Sequence, residues 1–110
     1  MTPKCYISGK VTGTTDYMER FKKAEETVKK LGYEPINPVA VNAALPEETK
    51  WIDYMTLSIN MLTREDCKAI YMLNGWEDSQ GAVIELLLAQ GMKHKVLYEE
   101  DVDRLLRWKV

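Results

Sequence analysis

The chain has 110 residues, and its 15 basic and 17 acidic side chains give a formal net charge of −2. These near-equal charges argue against a nucleic acid polymer as partner, and a composition of 45% apolar and 29% charged residues excludes a disordered or low-complexity chain. This length predicts a single compact domain over residues 1–110.

The sequence shows no targeting, membrane or metal-binding pattern. Its first residues lack the apolar core of a signal peptide, and no run approaches the ~18 apolar residues of a membrane span, so we expect a cytoplasmic protein without a membrane partner. Cys5 and Cys67 have no CxxC spacing and are expected to be reduced packing residues. His94 is the only histidine, so the sequence predicts no zinc site, and we expect no cofactor.

Short apolar runs alternate with patterns of helical period along the whole chain. In chain order these patterns predict strand Lys4–Ser8, helix Tyr17–Leu31, strand Tyr33–Asn37, helix Trp51–Leu62, strand Ala69–Leu73, helix Gln80–Gln90, strand Lys95–Tyr98 and helix Asp103–Trp108. Asp16 and Ser79 are candidate N-caps, because each precedes a predicted helix. The stretch Val39–Lys50 has no sustained period and contains Pro46, so it is predicted to be a loop.

This alternation predicts an α/β fold, with a parallel sheet of four or five strands and helices on both faces. In such sheets, ligands bind beyond the carboxyl ends of the strands, where the strand order reverses. We therefore expect the chemistry in the loops after the first and third strands, residues 9–15 and 74–79.

The first of these loops is rich in small and hydroxyl-bearing residues. Ser8, Gly9, Lys10, Thr12 and Gly13 offer backbone amides and hydroxyls near a helix start, which favours an anion or a sugar hydroxyl. A plain connecting turn is the alternative, since the spacing matches neither a P-loop nor a dinucleotide-binding fingerprint.

Glu85 is a lone carboxylate in an otherwise apolar helix. It lies six residues after Ser79 and four after Gly81, so its side chain leans back over the helix start. The positive helix end would keep it ionised unless burial outweighs that effect. An ionised carboxylate beside an anomeric carbon can bond to it or stabilise an oxocarbenium-like transition state. The alternative is a surface glutamate that meets Lys93 or Lys95.

Three other residues could contact a ligand or have structural roles. Trp76 could stack on a base or pack on the core, and Asp78 could bind a hydroxyl or cap the next helix. Tyr6 lies in the first strand, from which its hydroxyl could reach the end of the sheet.

Residues 6–9, 12–13, 36–38 and 75–85 together resemble the nucleoside 2-deoxyribosyltransferase-like family, in particular a small bacterial and phage branch. The most specific piece is Gly-Trp-x-x-Ser-x-Gly-x-x-x-Glu, which ends at Glu85, and the similarity extends from about Tyr6 to Tyr98. The resemblance implies a flavodoxin-like three-layer fold, a homo-oligomer, and cleavage or transfer at the N-glycosidic bond of a (deoxy)nucleoside or its 5′-monophosphate.

The resemblance also implies roles for individual residues. Glu85 matches the family's nucleophile, Tyr6 lies beside it, and Ser79 matches a serine that contacts the 5′-phosphate in the related deoxynucleotide N-hydrolases. The substrate-binding residues that we predict are Ser8, Gly9, Lys10, Thr12, Gly13, Asn37, Trp76, Asp78, Ser79 and Gly81.

The chain departs from the family pattern where acids are usual. The family's aspartate on the helix before the third strand falls near Ser58 or Asn60, and another is replaced by Lys68. Asp53 and Asp78 are possible substitutes. A catalytically impaired nucleotide-binding module of the same fold is therefore the alternative function. A phosphoribohydrolase ranks last, because its longer glycine-rich loops are missing.

Overall fold

The computed structural model describes residues 2–108. Strands and helices alternate along this part of the chain, and one turn of 3₁₀ helix, Trp76–Asp78, precedes the helix that begins at Gln80. In chain order the elements are β1 (Lys4–Ser8), α1 (Tyr17–Lys30), β2 (Glu34–Ile36), α2 (Pro38–Asn42), α3 (Trp51–Leu62), β3 (Cys67–Met72), α4 (Gln80–Gly91), β4 (Lys95–Tyr98) and α5 (Glu99–Trp108).

The four strands form one parallel sheet in the order β2-β1-β3-β4. Ser8 at the end of β1 is in register with Met72 of β3, and Met72 with Tyr98 of β4. The chain moves to one side of β1 to form β2 and to the other side to form β3, so the strand order reverses between β1 and β3. The predicted α/β fold with a parallel sheet is confirmed, and its three layers are those of a flavodoxin-like fold.

Alternate residues of β1 face opposite sides of the sheet, as the strand period of two requires. Cys5 and Ile7 belong to the core that α1 and α5 cover, whereas Tyr6 belongs to the core that α3 and α4 cover. Each core is closed by the apolar face of its helices, with Phe21 of α1 on one side and Leu86 of α4 on the other. The polar end of β1 is therefore presented to the side of α3 and α4.

The stretch that was predicted to be a loop contains helix α2, so that prediction is wrong over its first residues. Pro38 occupies the first helical turn, and the Oδ1 atom of Asn37 accepts a 3.0 Å hydrogen bond from the backbone N–H of Val39. An Asn cap followed by Pro is a helix-start signal, and it acts locally even when the helix is too short to show a period.

Only one of the two predicted N-caps is present in the structure. Ser79 caps α4, since its Oγ accepts a 3.2 Å hydrogen bond from the N–H of Ala82. Asp16 makes no side-chain cap, so that prediction is wrong; only its backbone carbonyl accepts, from the N–H of Arg20 at 3.1 Å. The last helix begins at Glu99 rather than Asp103, because three acidic residues in its first turn suit the positive helix end.

Cys5 and Cys67 are buried free thiols, as predicted. The ring nitrogen Nε2 of His94 lies 3.0 Å from the carbonyl oxygen of Leu62, so the only histidine joins the end of α3 to the turn before β4. No helix in residues 2–108 is long and apolar enough to cross a membrane.

Gly9 allows the close approach of the first loop to the core. A Cβ at this position would lie 2.9 Å from both Cβ and Cδ1 of Leu73, which is fully buried. We expect Gly9→Ala to lower the free energy of unfolding by about 1–3 kcal/mol, since overpacking of this kind forces backbone shifts.

Urea unfolding would measure this loss, with Gly91→Ala as the matched control. Gly91 is the last residue of α4, and a Cβ there meets nothing within 4 Å. The control should be neutral or more stable, because Ala is a better helix former by about 1 kcal/mol. Equal stability of Gly9→Ala and the parent would contradict the packing argument.

Candidate active site

A cavity of about 350 Å³ opens at the carboxyl end of β1, beside the point where the strand order reverses. The first loop, α2 and the first turns of α1, α3 and α4 supply its walls. Its polar lining residues are Tyr6, Ser8, Thr12, Tyr17, Asn42, Tyr54, Ser58, Ser79 and Glu85. A volume of this size is that of a small-molecule site.

Glu85 is a buried member of this lining, with 6% of its surface exposed. The Tyr6 hydroxyl donates a 2.6 Å hydrogen bond to its Oε2, and the Ser8 hydroxyl donates a 2.7 Å hydrogen bond to its Oε1. Tyr6 and Ser8 are two residues apart on β1 and therefore share a face. Their two hydroxyls fix both carboxylate oxygens in the cavity wall.

The surroundings of Glu85 change its acidity. Burial raises the pKa of its carboxyl group above the usual range, and the hydroxyls of Ser8, Tyr6 and Ser58 oppose this shift without cancelling it. Burial together with the neighbouring Glu85 raises the pKa of Tyr6, so its phenol remains a neutral donor. The alternative in which Glu85 meets Lys93 or Lys95 is wrong, because its oxygens are held by β1.

The raised pKa predicts a pH-dependent stability. A carboxyl group whose pKa is higher in the folded state stabilises the fold fully below its ordinary value of about 4.3, and this contribution is lost as the pH rises through the folded pKa. Glu85→Gln removes the cost of burying the charge, so we expect the variant to gain stability relative to the parent as the pH rises. Urea unfolding from pH 4 to 8 would measure the free energy of unfolding of the variant minus that of the parent. This signed difference should increase with pH, and a value that stays constant or decreases would contradict the prediction.

The sequence matches the family described as Domain of unknown function (DUF4406) over residues 3–98. The chain belongs to this family. The matched span runs through the four strands of the DUF4406 domain and contains every residue that lines the cavity. No curated protein matches the chain.

Half of the predicted substrate-binding residues of this DUF4406 domain line the cavity together with Glu85 and Tyr6. They are Ser8, Gly9, Thr12, Ser79 and Gly81. Gly81 lies in the first turn of α4, where a Cβ would lie 3.1 Å from the Sδ of Met55. The absence of a side chain at Gly81 thus allows α3 and α4 to approach closely beside the cavity.

The other predicted substrate-binding residues lie outside the cavity lining. Asn37 donates a 2.7 Å hydrogen bond from Nδ2 to Glu25 while its Oδ1 caps α2. Trp76 packs against Tyr98, with 6.0 Å between the ring centroids, beside a separate hollow at the ends of β3 and β4. Lys10, Gly13 and Asp78 complete this group, and Asp78 is exposed.

The structure adds lining residues that were not predicted to bind substrate. Tyr54 and Ser58 lie four residues apart on α3 and face the cavity together. Their spacing in an apolar helix was a signal that could have identified them. Asn42 lies in α2, which was predicted to be part of a loop, and Tyr17 begins α1.

Glu85 is the single carboxylate among the residues that line the cavity in the described part of the chain, and this lining contains no Lys, Arg or His. Of the two positions near the aspartate expected from the resemblance to nucleoside 2-deoxyribosyltransferase-like proteins, Ser58 is buried in the cavity wall and Asn60 is exposed. Asp53 and Asp78 are exposed and contribute nothing to the lining. Residues 2–108 contain no cluster of three or more His, Cys, Asp or Glu that could hold a metal ion.

Proposed function

We propose that this DUF4406 domain cleaves or transfers at the N-glycosidic bond of a (deoxy)nucleoside or a (deoxy)nucleoside 5′-monophosphate, with Glu85 as the nucleophile. One observation carries the proposal: a buried carboxylate, held by two hydroxyls, forms the wall of a ligand-sized cavity at the switch point of a parallel sheet. A structural glutamate would not require such a cavity beside it.

The reaction proceeds in two displacements. An oxygen of Glu85 bonds to C1′ while the bond from C1′ to the base nitrogen breaks and its electron pair stays on the base. The base takes up a proton and leaves. Water or a second base then attacks C1′ and loses a proton, and the carboxylate departs with the electron pair of the ester bond. Tyr6 and Ser8 orient the carboxylate and stabilise its charge each time it is released.

Ser79 and the first loop form the part of the site that would hold the sugar or a 5′-phosphate. The Oγ of Ser79 already accepts from Ala82 and can donate its own proton to a ligand oxygen. Because no cation lines the described cavity, a phosphate would be held by amides and hydroxyls near the starts of α1 and α4. We further propose a cytoplasmic location and a homo-oligomer, the latter implied by the resemblance to the nucleoside 2-deoxyribosyltransferase-like family.

A nucleotide-binding module with impaired chemistry is the second candidate. The observation that favours it is the absence of a second carboxylate from the described cavity lining, where such a group would protonate the departing base. A positioned acid or base contributes about 10²–10⁴-fold to a rate, so its loss would leave binding intact and turnover slow.

The test is to incubate the protein with deoxynucleosides and their 5′-monophosphates and to measure free base by chromatography. Mass spectrometry of the same mixture would show the covalent glycosyl adduct on Glu85. Thermal shift measurements separate the two candidates, because a ligand at 100 times its dissociation constant adds about 2.7 kcal/mol of stability whether or not it is cleaved. Stabilisation without base release supports the binding module, and the lack of both would overturn each candidate.

A further inference from the structure

One face of α3 borders the cavity along its length. Trp51, Tyr54, Met55 and Ser58 all line the cavity, and their spacing of three and four residues places them on the same side of the helix. Ser58 lies at the end of this face beside Glu85, because burial raises the pKa of the Glu85 carboxyl group and the Ser58 hydroxyl is one of the groups that oppose this rise. The face therefore leads from the carboxylate toward the start of α3.

Trp51 lies at the other end of this face. It is the first residue of α3 and precedes Ser58 by seven residues, which is two helical turns or about 10 Å along the axis. Met55, one turn before Ser58, packs against the first turn of α4, where its Sδ lies 3.1 Å from the position of a Cβ at Gly81. Ser58 and Met55 are 5% and 7% exposed, whereas Trp51 is 51% exposed. The face is thus closed beside the carboxylate and open to a ligand at Trp51.

The two sides of the cavity differ in chemistry. The first loop and the start of α4 contribute the hydroxyls of Thr12 and Ser79, which suit a sugar or a phosphate. The side chains from α2 and the start of α3 are mainly apolar or aromatic: Val39, Ala43, Trp51, Tyr54 and Met55. A nucleoside whose C1′ lies at Glu85 would therefore place its base on the side of α3, where an exposed aromatic ring gains by being covered.

We propose that the base of the bound nucleoside stacks on the indole ring of Trp51, so that the site recognises the base by its flat face. This inference rests on the proposed function, because it takes the ligand of the cavity to be a nucleoside or nucleotide. Trp76, the tryptophan that the sequence suggested for this role, lies outside the cavity lining and packs against Tyr98. Every base has such a face, so stacking tolerates different bases.

Indole fluorescence tests the stack directly, because a base that stacks on an indole quenches its emission. The probes are 2′-deoxyadenosine and thymidine, added to the full chain carrying Glu85→Gln so that neither nucleoside is consumed. We expect quenching on binding, and we expect Trp51→Phe to remove most of it. Trp76→Phe is the matched control, since it makes the same change outside the cavity lining, and it should retain the quenching.

Calorimetry on the same proteins provides a second readout. Trp51→Leu, which replaces the flat ring by a branched apolar side chain, should raise the dissociation constant at least about fivefold, the lower end of what base–aromatic stacking contributes. Trp51→Phe keeps a flat ring and should raise it less. Neither change should unfold the protein, because half of Trp51 is exposed.

Quenching that survives Trp51→Phe, or a dissociation constant that Trp51→Leu does not change, would overturn the inference. Quenching that only Trp76→Phe removes would likewise overturn it and assign the stack to Trp76. In each case, base release by the unsubstituted protein would leave the proposed function standing. If neither nucleoside binds and the unsubstituted protein releases no base, both proposals are overturned.

Discussion

Glu85→Gln is expected to lower the rate of base release by at least about 10³-fold, because an amide cannot replace the carboxylate that bonds to C1′. The substitution preserves the shape of the side chain. Its amide oxygen can still accept from one hydroxyl, and its amide nitrogen can donate to the other after that hydroxyl rotates. We therefore expect nucleotide binding to change far less than turnover, and the covalent adduct to disappear from the mass spectrum.

The matched control is Glu77→Gln, which makes the same change at an exposed carboxylate outside the cavity lining. This variant should release base at the parental rate. Equal rates for Glu85→Gln and Glu77→Gln would remove Glu85 from the mechanism and leave the cavity without a nucleophile of its own.

Tyr6→Phe is expected to lower base release at neutral pH by roughly 10–100-fold. A hydrogen bond to a charged group contributes about 1.5–3 kcal/mol, and this one, at 2.6 Å, stabilises the ionised form of a buried carboxylate. Its removal raises the pKa of Glu85 further, since the lost bond favoured the charged state. The acidic limb of the pH–rate profile should therefore move to higher pH.

Tyr71→Phe controls for the loss of a buried strand hydroxyl. Tyr71 is as deeply buried as Tyr6, but it lies in the core on the opposite face of the sheet. Its replacement should leave the position of the acidic limb unchanged. If Tyr6→Phe lowers the rate at every pH without moving that limb, then Tyr6 shapes the cavity and does not control the ionisation of Glu85.

Much of the fold could be predicted because its signals are local. The continuous apolar run at Ala69–Leu73 is typical of a strand buried on both faces of a parallel sheet, and the structure places β3 between β1 and β4. The caps show the limits of local reasoning. Ser79 and Asp16 look alike in sequence, yet only Ser79 caps its helix, because capping depends on the backbone conformation before the helix.

The sequence determined which residue types were available for the candidate site. Glu85 stood out as a carboxylate in an apolar helix, and the alternation in β1 put Tyr6 and Ser8 on one face. These are properties of segments a few residues long. They follow from helix and strand geometry without any knowledge of how the segments pack.

Only the tertiary structure decided how those segments meet. Tyr6 and Glu85 are 79 residues apart in sequence, and their contact depends on the packing of α4 beside the end of β1. The same packing excludes water from the carboxylate and raises its pKa, an effect that no periodicity can predict. The packing around α2 likewise leaves the Oδ1 of Asn42 buried without a hydrogen-bond partner among residues 2–108, whereas Asn37, five residues earlier, is engaged in the helix cap and with Glu25. Burial and long-range contacts depend on how segments that are distant in sequence pack together, and for that reason local sequence patterns could not predict them.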